Sequence, residues 1–195
     1  YDITGKSKNI FQLALYALFP WLSPYGPEEG VLETWDYYVS QKGRRIVAVG
    51  GVDAHGIIGD YEEDFVTVST YVLTPDPFNG AFEHDSASVY AAIREGRCFV
   101  GADKVANASS FRCHVESGGQ PVQMGGTARL ARGANLTVSA PEPGLIRVIH
   151  DGVPVAEEWG SSLAIELDRR GAYRVEVKRK ACRRYVPWIF GNHIY

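Results

Sequence analysis

The chain is poor in sulfur: 195 residues hold three cysteines (Cys98, Cys113, Cys182) and one methionine, Met124. Three scattered cysteines make neither a disulfide framework nor a paired metal motif, so buried free thiols in a reducing compartment are expected. An excess of charge of one sign is also lacking. The formal net charge is −3, and the only basic block, residues 178–184, is short; nucleic acid and membrane are therefore not expected as partners. Long apolar runs are missing as well. Residues 10–22 are the most apolar stretch, Pro20 interrupts it, and nothing approaches the ~18 residues that span a bilayer. No charged start followed by an apolar core marks a signal peptide, which leads to the expectation of a cytoplasmic protein. The chain opens on Tyr1 rather than Met, and a further segment upstream is expected.

What is present is a soluble composition, 45% hydrophobic and 22% charged, able to build an ordinary core. Residues 8–19 read as a helix stopped near Pro20, and residues 28–42 as a second. In the second, Leu32, Trp35, Tyr38 and Val39 follow the i, i+3, i+4 spacing of one buried face. Residues 45–51 (Arg-Ile-Val-Ala-Val-Gly-Gly) form a short apolar run suited to a strand buried on both faces. A second strand is expected over 67–73, a helix from Asp85 or Ser86 to Glu95 closed by Gly96, and a third strand over 97–100. This alternation, in residues 1–103, is that of an α/β layer or barrel. A polar stretch at 104–108 reads as a linker. Beyond it, in residues 109–195, short alternating strands are separated by Gly- and Pro-containing turns, among them Asp151-Gly152, a strong hairpin signal. Six or so strands argue for a small antiparallel β-sandwich. The expected fold is thus α/β followed by all-β.

Asp53 and His55 are the sharpest chemical signal. Two residues apart on an extended chain, they project to the same side. They sit just past the end of the expected 45–51 strand, where catalytic groups gather in (β/α) barrels. A carboxylate beside an imidazole suits zinc, manganese or iron. Spacing alone is weak, because chance puts an Asp-x-His pair in roughly one such chain in four. The ordinary reading of such an Asp is a turn former or helix cap.

The surrounding pattern is more specific. Residues 45–56 resemble the last metal-binding motif of the PHP (polymerase and histidinol phosphatase) family, an apolar strand ending in Gly, Asp-Ala-His. Residues 88–100 (Ser-Val-Tyr-Ala-Ala-Ile-Arg-Glu-Gly-Arg-Cys-Phe-Val) are similar to the helix and strand that follow that motif, notably in members of the CehA/McbA type. Residues 145–155, 171–177 and 187–195 (Pro-Trp-Ile-Phe-Gly-Asn-His-Ile-Tyr) resemble the β-rich extension of the same group, although His193 stands where those proteins carry Pro. The resemblance implies a partial PHP-type (β/α) barrel, with Asp53 and His55 as metal ligands and divalent Zn, Mn or Fe ions held by the complete barrel. It implies hydrolysis of a phosphate ester or related bond. The family's earlier His-x-His ligands have no counterpart here. The missing N-terminal half is then the chief partner, a small phosphate ester the substrate, and the chain alone is expected to bind metal weakly or not at all and to be inert. An exposed barrel edge would also favour a homo-oligomer.

A second reading keeps the β part as a binding module for a carbohydrate or a protein, with a non-catalytic α/β scaffold. Other polar and aromatic residues have ordinary expectations. His84 reads as a surface-loop residue, His150 as an exposed hairpin residue, and His114 as a strand residue with no acidic or His partner at ligand spacing. Glu62, Glu63 and Asp64 read as a solvated loop, the 178–184 basic run as a solvated edge, and Trp159, Tyr185 and Trp188 as packing aromatics.

Overall fold

The computed structural model describes residues 26–28, 30–52, 54, 61–181 and 184–195. The expected helix over 8–19 lies outside the described residues, as do Asp53, His55 and Cys182.

The first element is helix α1, Val31–Ser40. Trp35 and Val39 bury its apolar stripe, packed with Leu32, Ala48, Ala172 and Tyr195. Tyr38, expected on that face, is exposed, and the adjacent Asp36 is buried instead. The 43–50 segment that follows forms no regular strand. This departs from the expected strand buried on both faces: Ile46 and Val49 are exposed. Its backbone is nonetheless tied down, because side chains stand where a neighbouring strand would be. Ala48 N–H donates to Asn192 Oδ1 at 2.8 Å, and Asn192 Nδ2 donates back to Ala48 O at 3.0 Å. Thr70 Oγ1 accepts from Gly50 N–H at 2.8 Å, and Trp35 Nε1 donates to Ile46 O.

A single turn, α2 (Tyr61–Asp64), precedes β1 (Ser69–Val72), α3 (Phe82–Glu95) and β2 (Cys98–Gly101). Helix α3 starts three residues before the expected cap. Asp85 does bind free backbone N–H groups, those of Asn79 and Gly80, but it does so from inside the helix, reaching back to the loop. Gly96 ends α3 in the left-handed conformation, as its position after the last apolar turn implies.

The remaining strands are β3 (Arg112–Glu116), β4 (Val122–Gln123), β5 (Asn135–His150), β6 (Val153–Glu166), β7 (Tyr173–Ala181) and β8 (Arg184–Gly191). The described strands form one sheet in the order β1-β2-β8-β7-β5-β3-β4, with β6 on the other edge of β5. Every described strand pairing is antiparallel. The fold shown is therefore a mostly antiparallel sheet accompanied by helices.

Two strands expected over 134–140 and 145–150 are one long strand, β5, with its bend where a turn was expected. Pro141 and Pro143 supply no ladder donors, and the register with β6 shifts between Ser139 and Gly144. Before the bend β5 pairs β3; after it, β7. The bend turns the sheet over one core, in which Phe111, Val115 and Leu136 pack with Val175, Trp188 and Ile189. The Asp151-Gly152 hairpin is as expected: both residues have positive φ, 49° and 85°, the geometry of a two-residue primed turn.

The C-terminal tail closes the roll. Tyr173 and Ile194 exchange backbone hydrogen bonds, while Gly125 N–H donates to His193 O and Tyr195 N–H to Gly126 O. The 104–108 stretch, read as a linker, is packed: Ala108 is buried, and Trp188 Nε1 donates to Ala106 O at 2.6 Å. Cys98 and Cys113 are free and buried, and burial pushes the Cys113 thiol up to about 12. No helix among the described residues is long and apolar enough to cross a membrane.

Candidate functional site

Asp53 and His55, the candidate metal ligands, lie outside the described residues; what is described is the segment that leads to them. Residues 45–52 follow α1 in the chain and are held at Ile46, Ala48 and Gly50 by Trp35, Asn192 and Thr70 as above. Asn192 is central to that support. It is 3% exposed, and its amide also donates to Cys98 O at 2.9 Å, so one side chain ties the 48 position to β2. Among the described residues, no group of three or more His, Cys, Asp or Glu side chains is placed to hold a metal ion.

The largest concentration of buried polar chemistry lies beside this segment. Asp36, projecting from α1, takes a two-pronged hydrogen bond from Arg174 of β7, Nε to Oδ1 and Nη2 to Oδ2, each 2.6 Å. Arg174 Nη1 also donates to Glu176 Oε1 at 2.6 Å. His193 Nε2 stands 3.2 Å from Asp36 Oδ1, and its ring meets Trp35 edge-on. Asp36, Arg174, Glu176 and His193 are all buried.

Burial opposes the ionisation of Asp36, but the hydrogen bonds and charge of Arg174, together with His193, outweigh it and hold the carboxyl below its usual range. Burial dominates at His193 and pushes its pKa down despite Asp36, so the imidazole is neutral near pH 7. Asp36, ionised, only accepts; His193 Nε2 therefore carries the ring proton and Nδ1 its lone pair. The arrangement clamps α1 onto β7 through charge-assisted hydrogen bonds.

Other expectations have mixed outcomes. His84 is exposed, but on the first turn of α3 rather than a loop, against Asp85. His114 has an acidic neighbour after all, Glu116 at 3.1 Å, because residues two apart on a strand share a face. His150 is half-buried rather than exposed, stacked on Tyr173 with Nε2 donating to Arg170 O. Trp188 is buried, as expected of a packing residue. Trp159 and Tyr185 are not: both are about half exposed, with ring centroids 6.2 Å apart. From the basic run, Arg179 pairs with Glu142 and covers the Trp188 ring.

The residues that sequence reasoning missed are Asp36, Arg174, Glu176 and Asn192. For Arg174 and Glu176 the available signal was alternation in β7, where they fall on the face opposite Val175 and Val177. That signal identifies a shared face but not the helix that covers it. Compared with protein-family models, curated proteins and solved structures, the chain finds no match.

Proposed function

We propose that this chain contributes the last metal-binding motif of a PHP-type metal-dependent hydrolase, acting on a phosphate ester. The observation that carries the reading is the Asp53-Ala-His55 triplet directly after an apolar segment, within an ordered series of segments resembling that family. A second feature supports it. Of the large hydrophobic residues exposed among those described, most precede residue 91: Tyr37, Ile46, Val49, Phe78, Phe82 and Tyr90 are examples. Apolar surface gathered on one part of a chain suits a partner, here the upstream half of the same barrel. Alternatively, two copies could cover it. Two unpaired buried thiols, Cys98 and Cys113, suit a reducing, cytoplasmic setting.

The donor chemistry of a carboxylate and an imidazole fits zinc, manganese or iron. Two donors are one short of the three that a catalytic zinc takes from protein, so the remaining ligands must come from elsewhere. When bound, the metal would polarise the scissile group and lower the pKa of an attacking water. This chain's own part is to hold its two donors in place through the 45–52 segment and its Asn192 and Thr70 anchors. The test is hydrolysis of a generic phosphomonoester with added Mn or Zn. The present chain should be inactive, a protein extended upstream active, and its Asp53→Ala variant inactive. Full activity of that variant refutes the proposal.

One observation favours a second reading. The exposed Trp159–Tyr185 pair on the β part presents two aromatic faces of the kind that stack on a sugar ring or anchor a protein contact. Saturable oligosaccharide binding lost on Trp159→Ala would support a binding module; absence of binding across a glycan panel would leave the hydrolase reading alone.

A further inference from the structure

Trp159 of β6 and Tyr185 of β8 stand on strands that do not pair with one another, yet their rings lie 6.2 Å apart, centre to centre. They are 48% and 50% exposed. Large aromatic side chains are highly buried on average, so two left half in water, side by side, form an apolar platform without a cover.

Strand register shows what charge stands beside the platform. Trp159 is directly opposite Leu145 on β5, and Leu145 directly opposite Lys178 on β7. Opposed residues share a face of the sheet, so Lys178 is on the Trp159 face, two strand spacings or ~10 Å away. Lys180 lies two residues further along β7, on the same face, directly opposite Tyr185. Among the described residues neither lysine ammonium has a hydrogen bond, an ion pair or a ring beneath it. The nearby carboxylates do not answer them. Glu157, also on this face, is bonded to Arg147; Glu158, opposite Ile146, is on the other face; and Glu142 is paired with Arg179. Two aromatic faces and two uncompensated cations therefore occupy one exposed side of the sheet.

We propose that this face binds an acidic oligosaccharide, with sugar rings stacked on Trp159 and Tyr185 and their anionic groups held by Lys178 and Lys180. The inference rests on the binding-module reading above and names its ligand class. A neutral sugar uses the rings and leaves both ammonium groups unanswered. An acidic peptide answers the ammonium groups and offers no flat C–H face to the two rings. Lysine is a point charge without the fork of arginine, so it takes a carboxylate or a sulfate alike. The contacts are exposed and therefore screened, so binding weakens as salt rises.

The test is calorimetric titration at low ionic strength with matched probes: galacturonate oligomers beside their methyl esters, dextran sulfate beside dextran, and poly-aspartate as the acidic peptide. At least one acidic saccharide should bind saturably, and its neutral counterpart about fivefold or more weakly, the worth of two exposed charge contacts. Tighter binding of the galacturonate assigns the face to a uronate, and of the dextran sulfate to a sulfated sugar. Lys178→Gln with Lys180→Gln should bring the acidic saccharide down to the neutral level. Trp159→Ala, an exposed change, should weaken it about tenfold through lost stacking. A neutral counterpart that binds as tightly overturns the acidic assignment and leaves the binding-module reading standing. No binding by any saccharide overturns both. Poly-aspartate binding as tightly as the acidic saccharides, with Trp159→Ala without effect, overturns the inference in favour of a general polyanion surface.

Discussion

Replacing Asp36 with alanine removes one carboxylate from the most buried ionic contact in the described structure. Asp36 and Arg174 are 5% and 3% exposed, and both arginine donors meet the carboxylate at 2.6 Å. The variant strands two groups: Arg174 keeps only Glu176, and His193 Nε2–H loses its acceptor. Removing one partner of a buried pair costs about 3–5 kcal/mol, because the other charge stays buried without compensation. An independent Coulomb figure of about 4 kcal/mol at 4 Å and an effective dielectric of 20 agrees. Against a total stability of roughly 5–15 kcal/mol, that is a large share. Urea unfolding followed by tryptophan fluorescence measures it, since Trp35 and Trp188 are both buried. The denaturation midpoint should fall with the slope unchanged. The apolar triple variant Asp36→Leu, Arg174→Met, Glu176→Gln should be more stable than Asp36→Ala alone, because it leaves no unpaired charge. A loss below about 1 kcal/mol for Asp36→Ala, or a triple variant less stable than the single one, refutes the view of this network as a desolvated clamp.

Stability should also depend on acid in two steps. His193 has a folded pKa below its ordinary 6.5, so the unfolded chain binds the proton first, and stability present above about 6.5 is lost as pH falls through the lower folded value. The lowered Asp36 pKa adds a second loss only below the ordinary carboxyl value of 3.8; His193→Gln should flatten the first step in a pH series of melting temperatures and leave the second. Gly125→Ala should unfold the tail closure: φ is +82° and an added Cβ would stand 1.9 Å from Glu95 O, a backbone clash worth about 3 kcal/mol or more, readable by thermal denaturation. Asn192→Ala should cost about 2–4 kcal/mol, since Ala48 N–H and O and Cys98 O lose one shared partner, and hydrogen exchange at Ala48 should accelerate with it.

Much of the β part was legible because its signals are local. Asp151-Gly152 fixes a primed turn by backbone conformation alone, and alternation places Val175 and Val177 on the inner face of β7. The bend in β5 lies where Pro141, Pro143 and Gly144 predict a turn. Proline breaks ladder donors whether the chain reverses or merely bends, and only pairing with β3 and then β7 distinguishes the two. The 45–51 run departs from the expected strand for a related reason. Its composition suits a strand, but strand identity requires a ladder partner, and here Asn192, 144 residues away, takes that role with its side chain. Asp36 stands four residues after Leu32, on the same helix stripe as Trp35 and Val39, but its charge argues for solvent; what allows its burial is Arg174, 138 residues distant. Ion pairs across such separations leave no trace in local sequence. Asp53 and His55 were legible as a motif, through spacing and the apolar run before them.

Asp53 and His55 are proposed to ligate a divalent metal together with donors from upstream of this chain. The direct measurement is metal content by mass spectrometry, for the protein extended upstream and for its Asp53→Ala and His55→Ala variants, with the present chain alone as reference. Stoichiometric metal is expected in the extended protein, with a loss of about tenfold or more in affinity for each variant and little metal on the chain alone. Metal content unchanged in both variants would contradict it.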